Sequence, residues 1–164
     1  MIVKDAMILI HLAKLTVLSK ACSYFEKVLV PHKVYEEVLA GKGKDPSVLV
    51  FEKLVGEKKI LVEKAINGDL VKKAHDFNIE KGEAEALALY WEKKADFLAS
   101  DDQNVRRKTL ILDLKIVGTL EIVLMLYRNG LISGEKAIDS LNELKRIGWF
   151  NSAVIEAALL EVKQ

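Results

Sequence analysis

An α/β sandwich built on a parallel sheet of about five strands is the fold this sequence predicts. Five short apolar runs of strand length recur along it: MIV at 1–3, KVLV at 27–30, KILV at 59–62, DFLAS at 96–100 and KIVG at 115–118. Their hydrophobicity is continuous rather than alternating, as expected of strands covered on both faces. Helix-like spacing follows each run, and strands separated by helices make a parallel sheet.

The helices carry their own punctuation. In DPSVLVFEKLVGE, Asp45 stands where a cap belongs, Pro46 occupies the first helical position, and Val48, Phe51, Leu54 and Val55 form the apolar face, with the end near Gly56. KGEAEALALYWEKKA sets Gly82 before a run of strong helix formers, with Ala84, Leu87, Ala88 and Trp91 on one stripe. The greasiest stretch, Thr109 to Tyr127, is interrupted by Asp113, Lys115 and Glu121, so it reads as buried strand plus helix and not as a membrane span. The tail predicts two amphipathic helices divided at Gly148, the second opening after Asn151 or Ser152. No linker or repeat splits the chain, which predicts a single domain over 1–164 whose residues 131–164 form a C-terminal helical extension packed on it. The best candidate for a mobile loop is AGKGKDP at 40–46.

The 164 residues are enough for one domain with a sizeable core. Composition is that of a compact globular chain, 51% hydrophobic and 30% charged, and 25 basic against 24 acidic groups leave a formal charge of +1. No global field attracts a polyanion, so any attraction to phosphate is local or carried by a metal. A single cysteine, Cys22, excludes an internal disulfide and a cysteine-rich metal cluster. Together with an amino terminus that lacks a basic leader, this predicts a cytoplasmic protein with no membrane partner.

Four acidic sites fall where the predicted topology brings strand ends together, the edge at which open α/β sheets bind ligands. Asp5 leaves the first strand, Glu37 sits on the helix after the second, and Asp101 and Asp102 leave the fourth. Glu83 lies in the first turn of the helix leading into that fourth strand. Each has an ordinary alternative: a helix dipole for Glu83, solvent for Glu37, and a cap on the amides of Asn104 or Val105 for Asp102. Asp5 is harder to account for, because it interrupts an apolar stretch and a buried lone carboxylate is costly. Gathered together, the carboxylates would raise one another's pKa unless a divalent cation neutralised them, and an all-oxygen set suits Mg²⁺ or Mn²⁺. Zinc is a poor match, since His11, His32 and His75 are scattered and form no HExxH pair.

The chain resembles the PIN-domain ribonucleases, and within them the VapC-like toxin branch. The resemblance rests on pieces that stand in order over nearly the whole length: VKDAMILIHLAKL, VPHKVYEEVLAG, GEAEALALY, FLASDDQNVRR and IVGTLEIVLMLYRNGLIS. It implies a PIN-like three-layer sandwich and a metal-dependent endoribonuclease in which Asp5, Glu37, Glu83 and Asp101 hold Mg²⁺ or Mn²⁺. The V-x-x-E pattern from Val34 selects Glu37 over Glu36. Glu83 is preferred to Glu85 by its place after Gly82, with Glu85 as the fallback, and Asp101 to Asp102, which then bonds helix amides or a ligand water. Basic residues in QNVRRK and GKGK would draw the RNA in, and Arg106 either meets a phosphate or pairs with Asp102. Relatives of this kind act as toxins restrained by an antitoxin and commonly dimerise, and the apolar helix faces near Leu49–Leu54 or at the carboxyl terminus are the expected partner surfaces of this chain. One position departs from the pattern: Met7 stands where a Ser, Thr or Asn is usual, removing a hydrogen-bonding group beside the first aspartate. The hydroxyl of Thr119 is a candidate replacement donor or a solvated helix cap.

Overall fold

The computed structural model describes residues 1–41, 45–148 and 150–164. Residues 42–44, the centre of the expected mobile loop and the site of the basic GKGK track, lie outside the described residues, as does Trp149.

Two compact units divide at Gly118/Thr119. The first contains five strands, β1 (Ile2–Lys4), β2 (Val28–Pro31), β3 (Leu61–Glu63), β4 (Phe97–Ala99) and β5 (Ile116–Val117). They form one all-parallel sheet in the order β3-β2-β1-β4-β5. All five expected apolar runs are strands, each shifted or shortened by one or two residues at its ends. Between them run α1 (Ala6–Lys14), α2 (Leu18–Tyr24), α3 (His32–Ala40), α4 (Ser47–Gly56), α5 (Gly68–Asp76), α6 (Lys81–Lys93) and the single turn α7 (Gln103–Arg106). The chain adds β2 and β3 on one side of β1, then crosses through α5 and α6 to add β4 and β5 on the other. The topological switch therefore lies between β1 and β4, the place at which open α/β sheets bind ligands beyond the carboxyl ends of their strands.

Alternation along the strands divides their side chains between the two faces. Val3, Leu29 and Leu98 enter a core with Ala84, Ala86, Leu87 and Leu89 of α6, completed by Leu112 and Leu114. Lys4, one residue on from Val3, is fully buried with its ammonium 5.3 Å from the Phe25 ring centre. Among the described residues its Nζ has no hydrogen-bond partner.

The caps follow the sequence closely, with one displacement. Helix α4 begins at Ser47 instead of Pro46, because Asp45 reaches past the proline to accept from the Ser47 amide at 3.0 Å and its hydroxyl at 2.7 Å. Val48, Phe51 and Leu54 are buried as expected, while Leu49 is 62% exposed.

The second unit contains α8 (Thr119–Arg128), α9 (Gly134–Ile147) and α10 (Ser152–Lys163). It begins at Thr119. Gly148 stops α9 with φ +80°, a left-handed conformation that suits glycine, and Asn151 caps α10 by accepting from the Ala153 and Val154 amides. Among the described residues no single helix is long and apolar enough to cross a membrane. The apolar pair α1 and α2 is bent by 118° and buries Ile8, Leu9, Leu12, Leu18 and Ala21.

Candidate acidic site at the sheet edge

Asp5 leaves β1 in an extended conformation and caps α1, its Oδ1 accepting from the Ile8 amide at 3.0 Å. The cap fixes the carboxylate at the switch point, where it is only 4% exposed. Burial pushes its pKa from 3.8 up to about 7. Hydrogen bonds from the Ile8 amide and the Ser100 hydroxyl oppose the rise, while the charges of Asp101 and Glu83 add to it.

Glu83, in the first turn of α6, is also raised, mainly by burial and then by the charges of Glu37 and Asp102. Five carboxylates separated by up to 97 positions in sequence therefore share one electrostatic neighbourhood. Glu37 reaches it from α3: Oε1 accepts from the Gly82 amide at 3.2 Å. This approach requires glycine, since a Cβ at position 82 would sit 2.8 Å from each Glu37 carboxylate oxygen. Glu36 turns elsewhere, toward His32 Nδ1 at 3.5 Å.

Glu85 has a different task. Helix α3 starts after Pro31, which has no capping side chain, and Glu85 Oε2 supplies the acceptor for the Lys33 amide at 2.8 Å. Two residues along a helix turn a side chain by roughly 200°, so Glu83 and Glu85 serve opposite directions.

The aspartate pair also divides. Asp102 caps α7, accepting from the Val105 amide at 2.9 Å, one of the two amides expected. Asp101 Oδ2 lies 2.9 Å from His11 Nδ1, with the two side chains 12% and 4% exposed. Arg106 Nη1 donates to the Ser100 carbonyl at 3.2 Å. Thr119 is buried at the start of α8, in the second unit.

Among the described residues, no three side chains of His, Cys, Asp and Glu close to the spacing that would enclose a metal ion. The carboxylates interact as charges while Asp5, Glu37 and Asp102 each take a separate backbone N–H and Asp101 takes the imidazole. That arrangement keeps like charges apart where only protein donors balance them. Their chemistry, hard oxygens around a buried carboxylate of raised pKa, nevertheless fits a hard divalent cation.

Two participants were not anticipated from sequence. Ser100 is 2% exposed, bonds Asp5, and accepts from the Asp102 amide at 3.2 Å. It supplies the hydroxyl that Met7 lacks, and its position immediately before the acids at a strand end was the available signal. His11 is the other, a polar residue inside the apolar run ILIHLAK.

Comparison with known proteins gives two local similarities and one that covers the chain. The large ribosomal subunit protein uL4 of Borrelia garinii subsp. bavariensis is 35% identical over 96 residues, covering 52% of this chain and 46% of the relative. That of Borreliella burgdorferi is 34% identical over 96 residues with the same coverage. The chain thus spans about half the length of these curated relatives. No solved structure matches. A family model described as a PIN domain matches residues 1–164, and the chain belongs to the PIN-domain family.

Proposed function

We propose that this PIN domain is a Mg²⁺- or Mn²⁺-dependent endoribonuclease that hydrolyses RNA phosphodiester bonds, and that it is the toxin of a VapBC-type pair. PIN domains are in general nucleases. The observation that carries the reading is Asp5: a carboxylate 4% exposed at the switch point, held near pKa 7, and coupled to Asp101 and Glu83 from distant parts of the chain. A fold bears the cost of such a group most readily where it serves a function.

In this reading Asp5, Glu37, Glu83 and Asp101 hold the ion. When bound, a divalent cation polarises a phosphoryl oxygen and acidifies a water. The chain's own contribution is position. Asp5 is fixed by the α1 cap and the Ser100 hydroxyl, Glu37 is admitted by the missing side chain at Gly82, and Asp102 orders the turn that presents Asp101. Arg107, exposed at the end of α7, meets the phosphate backbone, and Arg106 braces the Ser100 carbonyl. The reading also carries an antitoxin partner that covers the acidic edge, a homodimer through exposed apolar residues such as Leu49 and Val50, and a cytoplasmic location.

A second reading keeps the fold and drops turnover, leaving an RNA-binding or regulatory module. It is favoured by Met7 and by the open spacing of the carboxylates. Titrating Mg²⁺ or Mn²⁺ into the protein with fluorescent single-stranded RNA, wild type beside Asp5→Asn, separates the two. Metal-dependent cleavage lost in the variant supports the nuclease. Cleavage that ignores the metal or survives the substitution removes it, and binding without cleavage selects the second reading.

A further inference from the structure

His11 stands in the second turn of α1, in a stretch where Ile8, Leu9 and Leu12 are at most 1% exposed. An imidazole placed in such surroundings loses its water and must recover the hydrogen bonds elsewhere. It does so across 90 residues of sequence, with Nδ1 2.9 Å from Asp101 Oδ2. The contact ties the helix that Asp5 caps to the turn that follows β4, so it spans the switch point on which the acidic site is built.

The three other well-held carboxylates show what the contact does. Asp5, Glu37 and Asp102 each accept from a backbone N–H, whose direction is set by a helix start. At Asp101 the corresponding donor comes from a side chain on another element. We propose that His11 is a positioning residue of the acidic site: its Nδ1–H holds one oxygen of Asp101 and so directs the carboxylate's other oxygen to a bound cation. This rests on the metal-dependent reading above. Partners that orient a ligating group from behind typically govern metal affinity or activity by about 10- to 100-fold.

Substitution chemistry distinguishes positioning from mere filling of space. An asparagine amide nitrogen falls near the place of Nδ1, whereas a glutamine amide nitrogen falls near that of Nε2. Both are polar and of similar bulk, so a structural role alone would not separate them. The experiment is calorimetric titration of Mn²⁺ into the full chain as wild type, H11A, H11N, H11Q and D5N, with circular dichroism to confirm folding. A parallel ¹⁵N NMR spectrum of the histidine rings is recorded without metal for wild type and D101N. Expected are an Mn²⁺ dissociation constant raised about 10- to 100-fold in H11A and H11Q, recovery in H11N, and a His11 Nδ1 that carries a proton and shifts in D101N. Wild-type affinity in H11A and H11Q, equal weakness in H11N and H11Q, or an Nδ1 without a proton overturns the assignment of His11. Absence of Mn²⁺ uptake by wild type, or equal uptake by D5N, instead brings down the metal-dependent reading and the proposal with it.

Discussion

Replacing Asp5 by asparagine should make the metal-free protein more stable, by an amount that depends on pH. Asparagine keeps the Oδ1 acceptor for the Ile8 amide, so the α1 cap survives and only the charge is lost. Burial pushes the aspartate from 3.8 to about 7, and a tenfold change in proton affinity is worth about 1.4 kcal/mol, so the ionised group costs the fold on the order of 4 kcal/mol. The sign follows from proton counting. Between pH 4 and 7 the folded state holds a proton at Asp5 that the unfolded chain has released, so wild-type stability from this group falls as pH rises through that window and is lowest above it. Urea unfolding in chelator-containing buffer at pH 3.5, 5.5 and 8 should give D5N an advantage that grows from near zero to about 4 kcal/mol. Mn²⁺ at a hundred times its dissociation constant should then stabilise wild type by about 2.7 kcal/mol and leave D5N unmoved. An advantage that does not change with pH, or a D5N less stable than wild type at pH 8, would refute the argument that Asp5 is a buried charge held against its preference.

Four further substitutions probe the neighbouring residues. Gly82→Ala should fold with stability within about 1 kcal/mol of wild type, since alanine favours the helix. Its Cβ should nevertheless dislodge the Glu37 carboxylate, seen as weakened Mn²⁺ binding by calorimetry. Glu85→Ala should lose about 1 kcal/mol of stability with the Lys33 cap while Mn²⁺ affinity is retained, and Glu83→Gln should do the reverse; denaturation and metal titration of both separate the two glutamates. Lys4→Met should stabilise the fold by roughly 1 to 3 kcal/mol at pH 7, because burial holds the lysine near pKa 8 against 10.5. The unfolded chain binds the extra proton between pH 8 and 10.5, so wild-type stability rises across that window, and the advantage of methionine measured by urea unfolding should shrink there.

Much of the architecture was legible because its causes are local. Continuous apolar runs located five strands, and Asp45, Gly56, Gly148 and Asn151 marked helix boundaries through hydrogen bonds within a few residues. The acids were legible for a different reason: charges at strand ends are expensive unless the fold uses them, and Asp5 interrupts a segment too apolar to leave it in water. What escaped was contact between elements. Nothing near His11 announces Asp101, since the pair depends on how α1 lies against the end of β4. Ser100 was overlooked beside two more conspicuous aspartates, and the exposed Leu110 and Ile111 follow a single helical turn that the apolar run concealed. The separate tasks of Glu83 and Glu85 became clear only once α3 had been placed beside α6.

The order in which the sheet is threaded has a consequence for the ribosome. β1, at the centre, leaves the exit tunnel first, but β4, its neighbour on one side, follows some ninety residues behind. At translation speeds of about 5 to 20 residues per second that interval is on the order of 5 to 20 s. Throughout it Asp5 has no Asp101 beside it. Any role that needs both carboxylates therefore waits until β4 has joined β1 in the sheet.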